Sequence, residues 1–384
     1  MQSFGTTLKS AVTVRARRFA GSRIAIRSTM AMCVAAAMAT GFPAAVAAQE
    51  SENESVATIY VTPQAMIDST RQIAEGVTKA VNGQLAPDRP SANGLLLQYA
   101  GDGIADPAAG AFTALDGASA STGEFASTNQ ADFLWNIWSD AAVAFADRNN
   151  PISGYDGTLA TVSFGLDRKL GDRSVFGVLL NFETSNFDTT AGPGTYDSTG
   201  YGIGVYGGTA LSDHWVADAM VIWKNFDNDI MEPGPIFASF DSERWQAAAN
   251  LTGYWYRNAW RYSPAFGFAW SHENQDASIL NPAQTITTAM ASAGLEVGYT
   301  TVLDDMRSLE PWASLTVEWT FHDSAATLPG LPDPDLKEID LRLAGGLNAM
   351  LADNFSLSLR ADIAGLVRRN FLIATIGGQA ALQF

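Results

Sequence analysis

The sequence predicts an all-β protein, a twelve-stranded antiparallel transmembrane β-barrel preceded by a short N-terminal segment of helical and disordered character. Three observations predict it. About twelve segments from residue 133 onward alternate apolar and polar side chains, several of them carry an aromatic residue at both ends of the apolar face, and short connections alternate with longer ones. Because no water satisfies backbone amides inside a bilayer, strands can cross it only as a closed barrel.

Residues 1–48 are predicted to be a secretory signal peptide. They contain no Asp or Glu and carry six basic residues, followed by an Ala-rich apolar run over 30–48 with the expected cut after Ala48. A membrane anchor is the alternative, but Gly41 and Pro43 interrupt the run, which is barely long enough to span a bilayer.

Loss of the signal peptide leaves 17 basic residues against 40 acidic ones, a net charge near −23, so nucleic acid is not an expected partner. The single cysteine, Cys33, leaves with the signal, which excludes disulfides from the mature chain.

All three histidines lie in the barrel region, so residues 49–131 can hold neither a Ser-His-Asp triad nor a histidine metal site. No enzyme activity, cofactor or metal is expected, and the alternative of a lipid-facing hydrolase around His272 lacks a neighbouring outward Ser or Asn.

Composition divides the mature chain near Asp132. Residues 49–131 are short of aromatic residues, whereas residues 132–384 hold all ten tryptophans. Apolar residues recur at helical spacing over 62–84, which predicts a helix. It lies either inside the pore or outside it as a short or marginal helix, at a surface or in the periplasm. The Gly, Ala, Ser and Pro content of residues 86–130 is typical of a linker or a disordered segment.

The period of two assigns the two faces of the barrel. We expect an apolar band of about 25 Å, crossed by roughly ten residues per strand. The expected lipid-facing aromatic girdle consists of Trp215, Trp223, Trp245, Trp255, Trp260 and Trp270. The expected lumen charges are Asp140, Asp167, Lys169, Asp218, Lys224, Arg244, Arg261, Glu318, Arg342 and Arg360. These charges fit either a polar conduit for a chain or solute, or an ordinary solvated lumen held by salt bridges.

The connections predict the topology. Short turns are expected at 170–174, 211–214, 256–259, 303–308 and 351–354, and they alternate with loops at 148–155, 188–199, 227–243, 274–285, 323–338 and 366–370. Outer-membrane barrels keep short turns on the periplasmic side. Both ends of the barrel region are therefore predicted to lie in the periplasm, with an even number of strands.

Several segments resemble the C-terminal β-domain of autotransporters, the type V secretion proteins. They are residues 134–140, 155–167, 175–180, 200–207 and 240–245 together with the final Phe384. The resemblance covers roughly residues 132–384 and depends on order and spacing rather than on one sharp motif.

This resemblance implies a monomeric barrel among the outer-membrane lipids of a Gram-negative bacterium. Such a chain crosses the inner membrane through a secretion channel and is inserted by the outer-membrane barrel-assembly machinery. It implies translocation of the N-terminal segment, as a short passenger, into the lumen or to the cell surface. The alternative is a passive porin or structural barrel whose N-terminal segment plugs the lumen.

The resemblance also identifies Leu382 and Phe384 as the assembly signal, and it exposes two departures from the family pattern. Gln379 stands where the signal usually has Gly, five residues before the terminal aromatic. The Asn pair that self-cleaving members carry before the first strand occurs here only after that strand, as Asn149-Asn150. Cleavage of the passenger inside the barrel is therefore not expected.

Overall fold

A computed structural model of the chain describes residues 60–86, 133–150, 154–189, 194–232, 236–279, 282–303, 307–324 and 339–384. The expected signal peptide, residues 49–59 and the expected linker beyond residue 86 lie outside the described residues.

The described residues form one helix and twelve barrel strands. The helix is α1, Thr62–Leu85. The strands are β1 Trp135–Arg148, β2 Tyr155–Lys169, β3 Ser174–Thr189, β4 Gly194–Ala210, β5 Trp215–Glu232, β6 Ile236–Gly253, β7 Trp260–Gln275, β8 Gln284–Tyr299, β9 Ser308–Ser324, β10 Ile339–Ala352, β11 Phe355–Ala364 and β12 Phe371–Gln383. Two short pieces, Trp255–Arg257 and Thr301–Val302, extend β6 and β8 toward their next turns.

The strands close into a ring. Each strand pairs antiparallel with the next one along the chain, and β12 pairs with β1 over thirteen residues from Asn136↔Gln383 to Arg148↔Phe371. Closure gives every strand a partner on both sides, so no strand edge faces the lipid. The predicted all-β fold with twelve antiparallel strands is confirmed.

Burial alternates with the predicted period of two, most regularly along β1 to β5. In β3 every second residue from Val175 is buried, and the residues between them are exposed. The exposed residues between 176 and 182 are apolar, as in Phe176, Val178 and Leu180, while the buried set includes polar residues such as Asn181. This pattern is inside-out relative to a soluble protein and is the pattern that a bilayer requires of a barrel.

Several strands are longer than the predicted ten residues. β5 and β6 have 18 residues each. The connections predicted at 188–199 and 227–243 were therefore too long, because the structure leaves only 190–193 and 233–235 between the strands. Some outward side chains in these extensions are polar and hydrogen-bond across strands, as when the Ser239 hydroxyl donates to the Asp229 carboxylate at 2.6 Å. Backbone pairing needs no apolar side chain, so the sheet continues beyond the apolar band.

The chain terminus completes the barrel at its short-turn end. The Phe384 amide donates to the Trp135 carbonyl at 2.9 Å, and the Trp135 amide donates back to the Phe384 carbonyl at 2.9 Å. Leu382 and Phe384 point outward, with 40% and 57% of their surfaces exposed. Among the described residues, no helix is both long enough and apolar enough to span a membrane.

Candidate functional site in the lumen

The lumen contains α1. The first thirteen residues of the helix, Thr62–Ala74, are all buried by the surrounding strands. Pro63 lies in the first turn, where its missing amide proton costs no helical hydrogen bond. A helix with polar groups on most of its circumference can be buried here because the barrel's inner face is itself polar.

The N-terminal end of α1 lies near the long-loop end of the barrel. Tyr60, Val61 and Ala65 belong to one cluster of buried apolar side chains. The same cluster contains Ala146 near the end of β1 and Tyr155 at the start of β2. Longer loops face outward in outer-membrane barrels, so this long-loop end is the one expected on the extracellular side.

The C-terminal end of α1 lies near the short turns, at the end of the barrel expected in the periplasm. The Gln84 side-chain amide donates to the carboxylate of Asp167, near the end of β2. Leu85 shares a cluster with Val175 and Val216, which follow the short turns after β2 and β4. The helix therefore runs along the lumen from the long-loop end to the short-turn end of the barrel.

One side of α1 is apolar and packs against the early strands. Ile73, Val77 and Val81 are buried in a cluster with Trp138 of β1 and Met220 of β5, among others. The approach is close: a Cβ placed on Gly208 of β4 would overlap the Cγ1 atom of Val81. Dispersion contacts of this kind hold the helix to one side of the wall.

A buried ion cluster joins the helix to strands β3, β5, β6 and β7. Glu183 accepts from Lys224, from Arg244 at 2.9 Å and from the Ser69 hydroxyl of α1 at 2.5 Å. Arg244 also pairs with Glu273 at 2.6 Å. Because no side chain of this cluster reaches bulk water, each charge depends on its partners.

A second cluster surrounds Arg342 of β10. Its guanidinium contacts Glu318 of β9 at 2.7 Å, Asp362 of β11, and Asp68 of α1 at 3.8 Å. Arg71 of the helix lies between the same acids, 3.7 Å from Asp68 and 3.9 Å from Asp362. The polar side of the helix is thus bound to the late strands by alternating charges.

Three ion pairs connect strands that are separated by one intervening strand, and each crosses a glycine on that strand. The pairs with their crossed glycines are Lys224–Glu183 over Gly202, Arg261–Glu310 over Gly298, and Arg360–Asp140 over Gly377. A Cβ at Gly202 would lie 2.5 Å from Lys224 Cγ, and one at Gly377 would lie 2.9 Å from Arg360 Cζ. Glycine is therefore required where a long basic side chain passes over the sheet.

At the periplasmic end, neutral groups converge on one carboxylate. Asp167 accepts from the Tyr206 hydroxyl at 2.5 Å and from the Asn136 amide at 3.1 Å. The Trp138 indole donates in turn to the Tyr206 oxygen at 2.6 Å. Together with Gln84 these bonds hold the end of the helix against β1, β2 and β4.

The structure places the sequence-predicted lumen charges on the inner face. Nine of them are buried: Asp140, Asp167, Asp218, Lys224, Arg244, Arg261, Glu318, Arg342 and Arg360. Lys169 shares the inward side of β2 with Asp167 but is only half-buried at the periplasmic end. The sequence pattern did not identify Glu273 and Gln379 as inward-facing residues. Continuing the alternation of inward residues from Arg261 along β7 would have identified Glu273.

The six tryptophans predicted as a girdle point away from the lumen. Trp245, Trp255 and Trp260 are exposed on the outer surface. Trp215, Trp223 and Trp270 are half-buried by neighbouring outward side chains, as where the Trp215 and Trp255 rings meet edge to face at 5.3 Å. His272 stacks on Trp270 and hydrogen-bonds the Thr287 hydroxyl at 2.9 Å.

The helix does not fill the lumen. A cavity of about 320 Å³ remains between its polar side and strands β6 to β12. Small residues such as Gly294, Ser314 and Ala344 line its wall, and Lys79 faces it from the helix. Within the described residues, no group of three or more His, Cys, Asp or Glu side chains is placed to hold a metal ion.

Comparison with known proteins links this architecture to one family. A sequence model described as the autotransporter β-domain matches residues 137–362. The translocator domain of the autotransporter NalP from Neisseria meningitidis is similar in structure, with a TM-score of 0.57, 11% identity and coverage of 85% of this chain and 100% of that one. The β-domain of the Bordetella autotransporter BrkA is similar with a TM-score of 0.55, 16% identity and coverage of 65% and 100%. No curated protein sequence matches this chain.

Proposed function

We propose a function from the premise that this chain belongs to the autotransporter β-domain family and is a translocator barrel of the outer membrane. In that function, the barrel carries its own short N-terminal segment through its lumen to the cell surface. α1 is the part of the translocated chain that stays in the lumen. The residues before α1 form the part displayed outside. No catalytic role is proposed for any residue.

The direction of α1 supports this proposal. Val61 lies in the cluster at the extracellular end, whereas Gln84 bonds Asp167 at the periplasmic end. A chain that enters α1 from outside and leaves it toward the periplasm has its N-terminus outside. If the segment were instead a plug that entered the lumen from the periplasm as a hairpin, nothing would require the first residue of α1 to lie at the outer end.

The displayed segment would be small. With a cut after Ala48, only residues 49–59 precede the described part of the chain, eleven residues with three glutamates and no Lys or Arg. So short a passenger offers no room for an independently folded domain. The proposed product is therefore a plugged barrel that displays a short acidic peptide.

An epitope tag inserted after Glu54 tests the proposal. On intact cells it should bind antibody and be removed by added protease, because residues 49–59 would lie outside. A tag after Ala92, on the other side of α1, is the matched control and should become accessible only after the outer membrane is permeabilised. Protection of the Glu54 tag on intact cells would show that the segment stays inside.

We also infer that Leu382 and Phe384 are contacted by the barrel-assembly machinery. Both are exposed at the end of the closing strand, so they are available before the barrel closes. Deletion of Phe384 should lower the fraction of heat-modifiable barrel in the outer membrane several-fold, whereas Phe384→Tyr, which keeps the aromatic ring, should not. Purified chains refolded into detergent separate recognition from stability. If the deletion impairs refolding as much as assembly in cells, the recognition role is wrong.

A further inference from the structure

The junction between β12 and β1 is the one place where the described barrel joins strands that are far apart in the sequence. Every other neighbouring pair is joined through a turn or a loop. The closing junction forms only when the two ends of the barrel domain meet. Its formation has a larger entropic cost of loop closure than that of any other strand pair. Interactions that span it therefore bear directly on barrel closure.

One side-chain pair spans this junction from inside, and we call Arg360–Asp140 the seam pair. Arg360 lies on β11 and Asp140 on β1, so the pair crosses the whole width of β12. The contacts are bidentate, with Nη1 to Oδ2 at 2.6 Å and Nη2 to Oδ1 at 2.9 Å, and both side chains are 3% exposed. Two parallel charge-assisted bonds fix the geometry as well as the distance.

The crossing depends on Gly377. Arg360 is registered opposite Gly377 on β12, and Asp140 is registered opposite Gln379, two residues further along. A Cβ at Gly377 would lie 2.9 Å from Arg360 Cζ and 3.0 Å from the Ala141 carbonyl oxygen. The absence of a side chain here is what lets the guanidinium pass over the closing strand.

The helix completes the arrangement. Glu75 of α1 contacts the remaining edge of the guanidinium, with Oε2 3.2 Å from Arg360 Nε. Gln379 of β12 donates to the Gly76 carbonyl at 2.7 Å. A Cβ at Gly76 would be 3.2 Å from the Asp140 Cβ, so the helix touches the seam pair through its own glycine. The residue that departs from the family's assembly signal, Gln379, is thus a helix contact.

We propose that α1 positions the seam pair, so that the β12–β1 junction reaches its full stability only when the helix is seated in the lumen. The seated helix excludes water from the two charges and orients Arg360 through Glu75. Without it, the same pair would face an open aqueous lumen, where ion pairs are weak. Arrival of α1 in the lumen and tight closure of the barrel are therefore coupled. This inference concerns the seated helix and does not depend on which side of the membrane residues 49–59 reach.

Hydrogen–deuterium exchange on the full mature protein, folded in detergent, tests the coupling. Arg360→Gln should speed amide exchange in peptides from β1 and β12 about tenfold, the factor expected for loss of a charged hydrogen-bond network. It should leave β5 and β6 unchanged. Arg261→Gln is the matched control, because it breaks the equivalent strand-crossing pair with Glu310 away from the junction and should speed exchange in β7 to β9 instead.

The helix dependence is the decisive measurement. Glu75→Gln, which leaves Arg360 and Asp140 intact, should speed exchange in β1 and β12 by a smaller factor and leave β7 to β9 unchanged. In a chain lacking residues 62–85, Arg360→Gln should have little further effect on the junction. If Arg360→Gln speeds exchange at the junction equally with and without the helix, or loosens all strands alike, the positioning role is wrong.

A glycine substitution supplies a variant that keeps every charge. Gly377→Ala should loosen the junction, because its methyl group meets the Arg360 guanidinium. Gly378→Ala is the control: one residue on, on the other face of β12, its Cβ would lie 3.1 Å from Leu359 Cδ2, a side-chain end that can shift by a few tenths of an ångström, and away from the Arg360 guanidinium, so exchange at the junction should stay unchanged. Equal exchange in these two variants would contradict the crossing geometry.

Discussion

Deletion of residues 62–85 should convert a closed barrel into an open, water-filled pore. The helix occupies the lumen along its length, and its apolar side seals against β1 and β3 to β6 through residues such as Val77 and Val81. The cavity that remains beside the helix is bounded toward the extracellular end by Arg342 with Asp68 and by the small cluster of Ile67, Ala269 and Met290. The intact mature protein is therefore expected to conduct poorly, and the deleted form to show stable, wide openings in single-channel recordings.

The control for this deletion removes an equal length of chain elsewhere. A variant lacking residues 100–123, which leaves α1 and its contacts unaltered, should conduct like the intact protein. Both variants should migrate as folded, heat-modifiable barrels, so that conductance is compared between assembled proteins. Equal conductance of the intact and helix-deleted barrels would contradict the role of α1 as a plug.

The substitution Glu183→Gln should destabilise the barrel by about 3–5 kcal/mol, the cost of leaving a buried charge without its partner. Glu183 is the counter-ion of Lys224 and one of two counter-ions of Arg244, and the Lys224 and Arg244 side chains are 0% and 2% exposed. The amide of Gln can accept one hydrogen bond but supplies no charge. The midpoint of urea unfolding, followed by loss of heat modifiability, measures the effect.

Glu296→Gln is the matched control for Glu183→Gln. Glu296 also pairs with a lumen arginine, Arg261 at 2.6 Å, but its side chain is 30% exposed and Arg261 retains Glu310. Exposed pairs contribute little, so this variant should unfold within about 1 kcal/mol of the unsubstituted barrel. Similar losses in the two variants would mean that the lumen is wet enough around Glu183 to screen its charges.

Facing and strand count could be predicted because they depend on local geometry. Successive side chains of a strand point to opposite faces, so Trp223 and Lys224 must lie on opposite surfaces wherever that strand is placed. The alternation was read correctly at Trp245 and Arg244 for the same reason. The predicted strand ends near Asp227 and Asp241 were wrong, because the two strands stay paired beyond these residues. Hydrophobicity shows where the contact with lipid ends and not where backbone pairing ends.

Partner choice could not be predicted from the same pattern. That Lys224 meets Glu183 depends on the stagger of β3, β4 and β5 and on the absence of a side chain at Gly202. Gln379 illustrates the point: in the sequence it is a departure from an assembly motif, and in the barrel its amide holds the carbonyl of Gly76. Contacts between residues some 300 positions apart require the register of the closed ring.

The sequence by itself determined the all-β class, the twelve strands and the family resemblance, because the bilayer imposes an alternation that every strand must repeat. It also indicated a helix over 62–84, with the pore and a surface as equal alternatives. Only the tertiary structure decided that α1 lies inside the barrel, with its apolar stripe against the early strands and its charges against the late ones. The physical reason is that the two sides of an amphipathic helix must pack against one apolar and one polar surface. The sequence does not show where these surfaces lie, and the closed barrel provides both on opposite sides of a single lumen.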